Sequence, residues 1–400
     1  MILVLQLVFV FCLLLLVHSY VIYPLSLYAL FQLGVRRGDK PPTPSKRPPF
    51  VSCITSVYNE EDWIQRKLET VLNSDYPKDR LALFIGSDAS TDGSNDRIKS
   101  LQERDPRIRF YLYERRRGKT NVINDLLEEA LRHQDKQEDH IILFTDANVL
   151  FTRNTVKNLV KPFSDPSIAL VDSLMIQENL RSDGISMSEN RYMSLETRLK
   201  IWEGEVWGMM MGAFGGCFAI RSTYVGKVPP GLIVDDFYIS MMALQNGGVC
   251  KVATDAICYE GIPNQLHEEF KRKTRISTGN FQNLAIFYNC LFRPPRALAF
   301  AFFSHKVLRW IGPILILCLW LNAALLSAIS WPEYGLWFLL LNVVIGGIPL
   351  IDLILAKLGF HVQIFRGVRY FFLMNLALLN GFIKYILGNQ NSAWQPPKRS

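Results

Sequence analysis

The chain has 400 residues, 49% of them hydrophobic and 20% charged, with a formal net charge of +8 at pH 7. A mean hydropathy of +0.12 is high for a soluble enzyme, and the seven cysteines are scattered without a C-x-x-C pair. These features argue against a disulfide framework or a zinc site. The apolar excess sits at the two ends, so Lys and Arg beside anionic lipid explain the positive charge better than a nucleic-acid partner does.

The first segment, "MILVLQLVFVFCLLLLVHSYVIYPLSLYALF", stays apolar for longer than the roughly 20 residues that span a bilayer, and no Lys or Arg precedes Arg36. It lacks the basic start, short apolar core and small-residue cleavage site of a signal peptide. Residues 1–34 therefore read as a retained transmembrane helix. "RRGDKPPTPSKR" makes 35–49 a basic, Pro-rich linker, and the positive-inside rule puts it in the cytoplasm.

From Phe50 to Asn283 strand-like and helix-like segments alternate. "FVSCITSVYN" is a strand. "EEDWIQRKLETVLNSDYP" is a helix, acidic in its first turn and stopped by Pro77. "LALFIGSDAS" is a strand, "TDGSNDRIKSLQERDP" a capped helix and "RIRFYLYE" a strand. "KTNVINDLLEEALRHQ" is a helix and "HIILFTDAN" a strand. The alternation predicts parallel strands with crossover helices, an α/β sheet occupying 50–290. In such sheets ligands bind beyond the carboxyl ends of the strands. Those ends carry "YNE", "SDASTDGS" and "TDAN", so three polar clusters converge on one edge.

Residues 291–306 form a connector. "FRPPRALAFAFFSHKVLRW" mixes basic and aromatic residues, as an interfacial helix does, or as an ordinary basic connector does. The membrane region, 307–388, holds two long apolar runs, about Val307 to Ser330 and Leu336 to Ala356. "WPEYG" between them suits the outer side, and Lys357, Arg366 and Arg369 the inner side. A third stretch, about Tyr370 to Leu387, contains Asn375, Asn380 and Lys384, and either spans or lies in the interface. The tail is 389–400.

"VYNEEDWI", "YP", "GSDASTDGS", "GKTNVIN", "TDAN", "GGCFAIRS" and "VDDFYIS", in this order and spacing, resemble a membrane-bound family 2 glycosyltransferase. Each motif is weak alone; the ordered set is specific. "SYVIYPL" and "SHKVLRW" also resemble bacterial members that act on exopolysaccharides or lipids. The resemblance implies a Rossmann-like GT-A domain between an N-terminal transmembrane helix and C-terminal transmembrane helices. It implies inverting transfer from a nucleotide-sugar, UDP-linked in this reading.

Such a reaction must hold the nucleotide, offset negative charge growing on the diphosphate and take a proton from the acceptor hydroxyl. By resemblance, Asp88 accepts a hydrogen bond from the nucleobase, where helix capping is the alternative role for Asp88, Ser90, Thr91 or Asp92. Val57, Tyr58 and Glu60 line the nucleoside. Lys119, after Gly118, meets a phosphate or simply solvates the surface. Asp146 and Asn148 match a D-x-D element. Alternate residues of an extended segment point the same way, so both are expected to reach one Mg²⁺ or Mn²⁺. Asn148 brings no charge, which predicts weak metal affinity and tighter binding in Asn148→Asp. Asp235 and Asp236 match the family's acidic pair. Asp236 is the general base and Asp235 its neighbour, and two adjacent carboxylates raise the pKa of one. Gly215 and Gly216 let the backbone approach donor or acceptor.

One departure concerns processivity. Polymerising members carry Q-x-x-R-W; here Arg272 replaces the Gln, Arg275 keeps the diphosphate arginine and Ile276 replaces the sugar-stacking Trp. "SAWQPPKR" resembles a gate element of some membrane members. The expected acceptor is lipid-linked or a growing polysaccharide at the cytosolic face of the plasma (inner) membrane, with partners in polysaccharide export. One alternative is a single-transfer lipid glycosyltransferase of dolichol or ceramide type. Another is an inactive membrane scaffold or nucleotide-binding regulatory subunit, which only Asn148 favours.

Overall fold

A computed structural model describes residues 1–38, 47–133, 139–178, 186–261, 266–293, 296–360 and 362–388. The tail 389–400, with "SAWQPPKR", and residues 39–46 of the linker lie outside the described residues. The chain folds as two compact units.

One unit contains the sheet. Its elements are β1 (Phe50–Val57), α2 (Glu61–Leu72), β2 (Leu81–Asp88), α3 (Ser94–Gln102), β3 (Ile108–Tyr113), α4 (Lys119–His133) and β4 (His140–Thr145). They continue through β5 (Leu150–Phe151), α5 (Thr155–Val160), β6 (Ile168–Glu178), the end of α6 (Ser186–Trp207), β7 (Cys217–Arg221), α7 (Asp235–Gln245) and β8 (Val249–Gly261). The strand order is β3-β2-β1-β4-β7-β6-β8-β5. β1 to β4 are parallel, as the alternation predicts. β7 runs antiparallel to β4 and β6, and β5 antiparallel to β8, so the second half is mixed. β6 and β8 are parallel to each other. The carboxyl ends of β1, β2, β4, β6 and β8 and the start of β7 thus meet at one edge.

Strand alternation splits the core. Val51, Cys53, Leu81, Leu83, Ile141 and Leu143 face one side, where Ile64, Leu68 and Val71 of α2 and Ile98 of α3 cover them. Gly86 faces the other side, and α4 comes so close that a Cβ there would lie 2.5 Å from Val122. Both faces of these strands are covered, which explains their nearly continuous apolar character.

The other unit contains α1 (Ile2–Gln32) up to residue 29, residues 186–195 of α6, and the described residues from 266 to 388. α8 (Leu266–Phe287) and the short α9 (Arg296–Ala301) precede α10 (Gly312–Ile329), α11 (Trp331–Lys357) and α12 (Gln363–Ile386). Among the described residues, α1, α10 and α11 are long and apolar enough to cross a membrane. "WPEYG" opens α11, where Pro332 is tolerated in the first helical turn. The third, ambiguous stretch lies within α12, which packs along α8. Ser277 Oγ donates to the Leu378 carbonyl (2.7 Å) and Thr278 Oγ1 to the Gly381 carbonyl (3.1 Å). A Cβ on Gly381 would lie 2.5 Å from the Thr274 carbonyl, so small residues let the two backbones touch. Arg272 and Arg275 ride on α8 in this unit, with Arg272 Nε 3.5 Å from Glu269 Oε2.

Candidate active site

The loops after β1 and β2 are stitched together. Asn59, at φ 51°, donates its N–H to Ser90 Oγ (3.2 Å) and accepts from the Thr91 N–H (2.9 Å). Asp92 accepts from the N–H groups of Glu61 (3.0 Å) and Ser94 (3.1 Å), so one carboxylate serves the starts of α2 and α3. The Glu60 N–H donates to Ser94 Oγ at 3.0 Å. The caps considered for this loop thus include Asp92, and Asp88 is engaged elsewhere.

Asp88 is 2% exposed. Its carboxylate accepts the N–H groups of Arg117 (2.5 Å) and Gly118 (3.0 Å) and Arg116 Nε (3.1 Å). Gly118 turns the chain with a left-handed φ of +84°. Asp88 therefore holds the loop that leads into α4. Arg116 in turn sits over Tyr58, its guanidinium carbon 3.3 Å from the ring centroid. Arg116 lies in the basic run "ERRRGK", Glu114 to Lys119, outside every motif quoted above.

Lys119, first in α4, donates to Asp146 Oδ1 at 2.7 Å. Partial burial works against its charge, but Asp146, Asp235 and Asp236 outweigh this and hold the ammonium above the usual lysine range. The solvating role considered for Lys119 is replaced by an ion pair at the strand tip. Farther along α4, Thr120 Oγ1 donates to the Leu232 carbonyl (2.8 Å) and Asn124 exchanges two hydrogen bonds with the Val228 backbone. The loop leading into Asp235–Asp236 is thus fastened to the helix that begins with Lys119.

Asp236 lies at the start of α7, with the Phe237 N–H donating to its Oδ1 (2.7 Å). A Cβ at Gly215 would sit 2.5 Å from its Oδ2, so the glycine leaves room for the carboxylate. Ser240 Oγ donates to the Asp236 carbonyl and accepts the Ala213 N–H, tying α7 to the Gly215–Gly216 loop. Burial and then the charge of Asp235 push Asp236 up to about 7, while Lys119 and the Phe237 N–H oppose them. The expected effect of the neighbouring carboxylate is present, second to burial.

Asn148 departs from expectation. Residues 147 and 148 form a turn, not an extended segment, so strand alternation does not apply. Asp146 is a third exposed, whereas Asn148 is 3% exposed and its Nδ2 donates to Glu260 Oε1 at 3.1 Å. Glu260, at the end of β8, is a residue that no motif singled out. Among the described residues, no three His, Cys, Asp or Glu side chains are grouped to hold a metal. The Asp146 carboxylate still fits a hard cation that keeps waters and substrate phosphates as its other ligands.

Two family models match: "Glycosyl transferase family 2" over residues 52–224 and "Glycosyl transferase family group 2" over residues 141–382. The chain belongs to glycosyltransferase family 2. This family 2 glycosyltransferase is 29% identical over 143 residues to a dolichyl N-acetyl-alpha-D-glucosaminyl phosphate 3-beta-D-2,3-diacetamido-2,3-dideoxy-beta-D-glucuronosyltransferase of Methanococcus voltae, covering 34% of this chain and 42% of that one. It is 22% identical over 245 residues to the probable glycosyltransferase YdaM of Bacillus subtilis, covering 59% of this chain and 56% of that one. The chain thus spans about half the length of these relatives. A mannosyltransferase from Pyrobaculum calidifontis, solved with GDP-Man and Mn²⁺, aligns with 95% of this chain and 99% of its own, with a TM-score of 0.67 at 20% identity. That likeness supports the GT-A fold of this glycosyltransferase.

Proposed function

We propose that this protein is an inverting glycosyltransferase that moves a sugar from a nucleotide-sugar, UDP-linked in our reading, to a lipid-linked or growing polysaccharide acceptor at the cytosolic face of a membrane. The observation that carries the proposal is the grouping of Asp146, Asp235 and Asp236 around Lys119, with Asp236 pushed up to about 7. A carboxylate that titrates near neutrality suits a general base for a sugar hydroxyl.

In this reading the nucleoside lies on Val57, Tyr58, Glu60 and the Asp88 loop. Asp88 acts mainly by holding Arg116–Gly118, and Arg116 on Tyr58 offers a planar cation for base or phosphate. Lys119 offsets charge at the diphosphate. A divalent cation, Mg²⁺ or Mn²⁺, would be held by Asp146 and would help neutralise the leaving diphosphate; the Mn²⁺ bound to the archaeal mannosyltransferase supports this choice. Asp236 takes the acceptor proton, Asp235 tunes it, and Gly215–Gly216 let donor and acceptor close on the base. Arg272 and Arg275 remain proposed diphosphate or acceptor contacts. The basic flank from Arg36 supports a cytoplasmic catalytic unit on a multi-pass inner-membrane protein.

A second reading is one transfer per lipid acceptor. It is favoured by Ile276, which cannot stack on a sugar as an indole does, and by the dolichyl-phosphate chemistry named for the methanogen relative. Membranes supplied with a panel of radiolabelled UDP-sugars test both readings. A single labelled lipid supports one transfer and a ladder supports polymer growth. No transfer by the wild type, with tight donor binding, would instead point to the scaffold.

A further inference from the structure

Lys67 plays no part in the reading above, yet it is the least expected side chain in the sheet unit. It lies on α2 and is 0% exposed, and a buried ammonium is costly unless it is paired. Among the described residues no carboxylate pairs with it. Instead its Nζ donates to Thr145 Oγ1 at 2.7 Å and to the Val149 carbonyl at 2.5 Å, and lies 3.6 Å from the centre of the Phe151 ring. Burial draws its pKa down, against the opposing influence of Cys53, Cys217, Cys258 and Asp146.

Its two hydrogen-bond acceptors have a specific place in the chain. Thr145 and Val149 are the residues on either side of Asp146–Asn148, so one amine spans the mouth of that turn. The restraint continues beyond it. Thr145 Oγ1 donates to the Gly216 carbonyl at 2.9 Å, and the Asp146 N–H donates to the same carbonyl at 3.1 Å. Gly215, the next residue back, lies against Asp236. A single buried amine therefore lies beneath both the Asp146 turn and the loop that borders the base.

We infer that Lys67 is a positioning residue that fixes the Asp146 turn and the Gly215–Gly216 loop for the diphosphate end of the donor, without touching the donor itself. This rests on the nucleotide-sugar reading of the site. The nucleoside end lies on the loops after β1 and β2, which are held by Asn59, Asp88 and Asp92 and not by Lys67. Loss of Lys67 should therefore be felt at one end of the nucleotide only, which a general loss of packing would not produce.

The test uses the full chain in detergent, as wild type, Lys67→Met and Thr145→Val. Binding of UDP and of GDP, each beside its monophosphate, is measured by calorimetry with Mn²⁺ present, together with thermal unfolding. Loss of a hydrogen bond from a charged donor predicts about tenfold weaker diphosphate binding in Lys67→Met, with the monophosphate changed less than about twofold. Thr145→Val should shift the same ratio in the same direction, and the double variant should be no worse than Lys67→Met alone. Equal losses for diphosphate and monophosphate, or an unchanged ratio in Thr145→Val, overturn the inference. If the wild type binds none of these nucleotides, the nucleotide-sugar reading fails first. If it binds them and Lys67→Met keeps full diphosphate affinity, only the role of Lys67 is lost.

Discussion

Replacing Asp236 with Asn keeps the side-chain shape and the acceptor for the Phe237 N–H but removes the proposed base. Loss of a positioned general base lowers transfer by about 10²–10⁴-fold. The wild-type pH profile follows from the same carboxyl. Burial and Asp235 push Asp236 up to about 7, so kcat/KM should rise about tenfold per pH unit below that value and flatten above it. Asp235→Asn removes one of the raising influences and should move the midpoint to lower pH. There is also a linked effect on stability. The ordinary carboxyl value is 3.8 and the folded one about 7, so the folded chain holds this proton more tightly than the unfolded chain, and ionisation costs stability. The cost is absent below about pH 4, grows between 4 and 7 and is complete above 7. Asp236→Asn should thus raise the unfolding temperature at pH 8 and leave it unchanged at pH 4. Radiolabel transfer across pH and thermal unfolding at the two pH values are the assays. A variant that keeps more than about a tenth of wild-type transfer, or a stability gain equal at both pH values, would refute the assignment of the base.

Gly215→Ala puts a methyl 2.5 Å from Asp236 Oδ2; transfer should fall at least about tenfold with nucleoside monophosphate binding retained, as seen by comparing calorimetry with turnover. Asn148→Asp removes the amide that Glu260 accepts and sets two carboxylates together. It should lose about 1–3 kcal/mol at pH 7, recovered by adding Glu260→Gln, and show no gain in metal affinity by titration. This reverses the expectation from the D-x-D comparison alone. Asp88→Ala frees three donors in Arg116–Gly118. It should raise the donor KM about tenfold and change kcat little, which steady-state kinetics would reveal.

The parts of the site that the sequence made legible are those whose position follows from strand ends. β1, β2 and β4 are apolar runs that stop at polar residues, so Tyr58, Asp88 and Asp146 fall on one edge by topology. Other roles depend on which way a side chain turns, and no motif records that. Lys67 reads as a polar position on an amphipathic helix, yet it faces the sheet. Glu260 lies 112 positions from Asn148 in the chain and meets it only because β5 pairs with β8. For Asn148 the expectation of strand alternation fails because residues 147 and 148 form a turn, which two residues of sequence do not distinguish from strand. The closeness of α8 and α12 was hidden for a different reason: Ser277, Thr278 and Gly381 let the backbones touch, and these small residues add nothing to the apolar pattern, which shows only the larger contacts such as Phe281 on Phe382.

All seven thiols are free, and all but Cys318 are buried. A chemist can therefore add one cysteine at a time to an almost silent background, without first stripping the natural ones from the core. A cysteine at Pro230, in the loop before Asp235, and another at Trp331, where α11 begins, can be labelled with a membrane-impermeant maleimide in sealed vesicles. Reaction of one and protection of the other would read the sidedness of the loop before Asp235 directly from the intact protein.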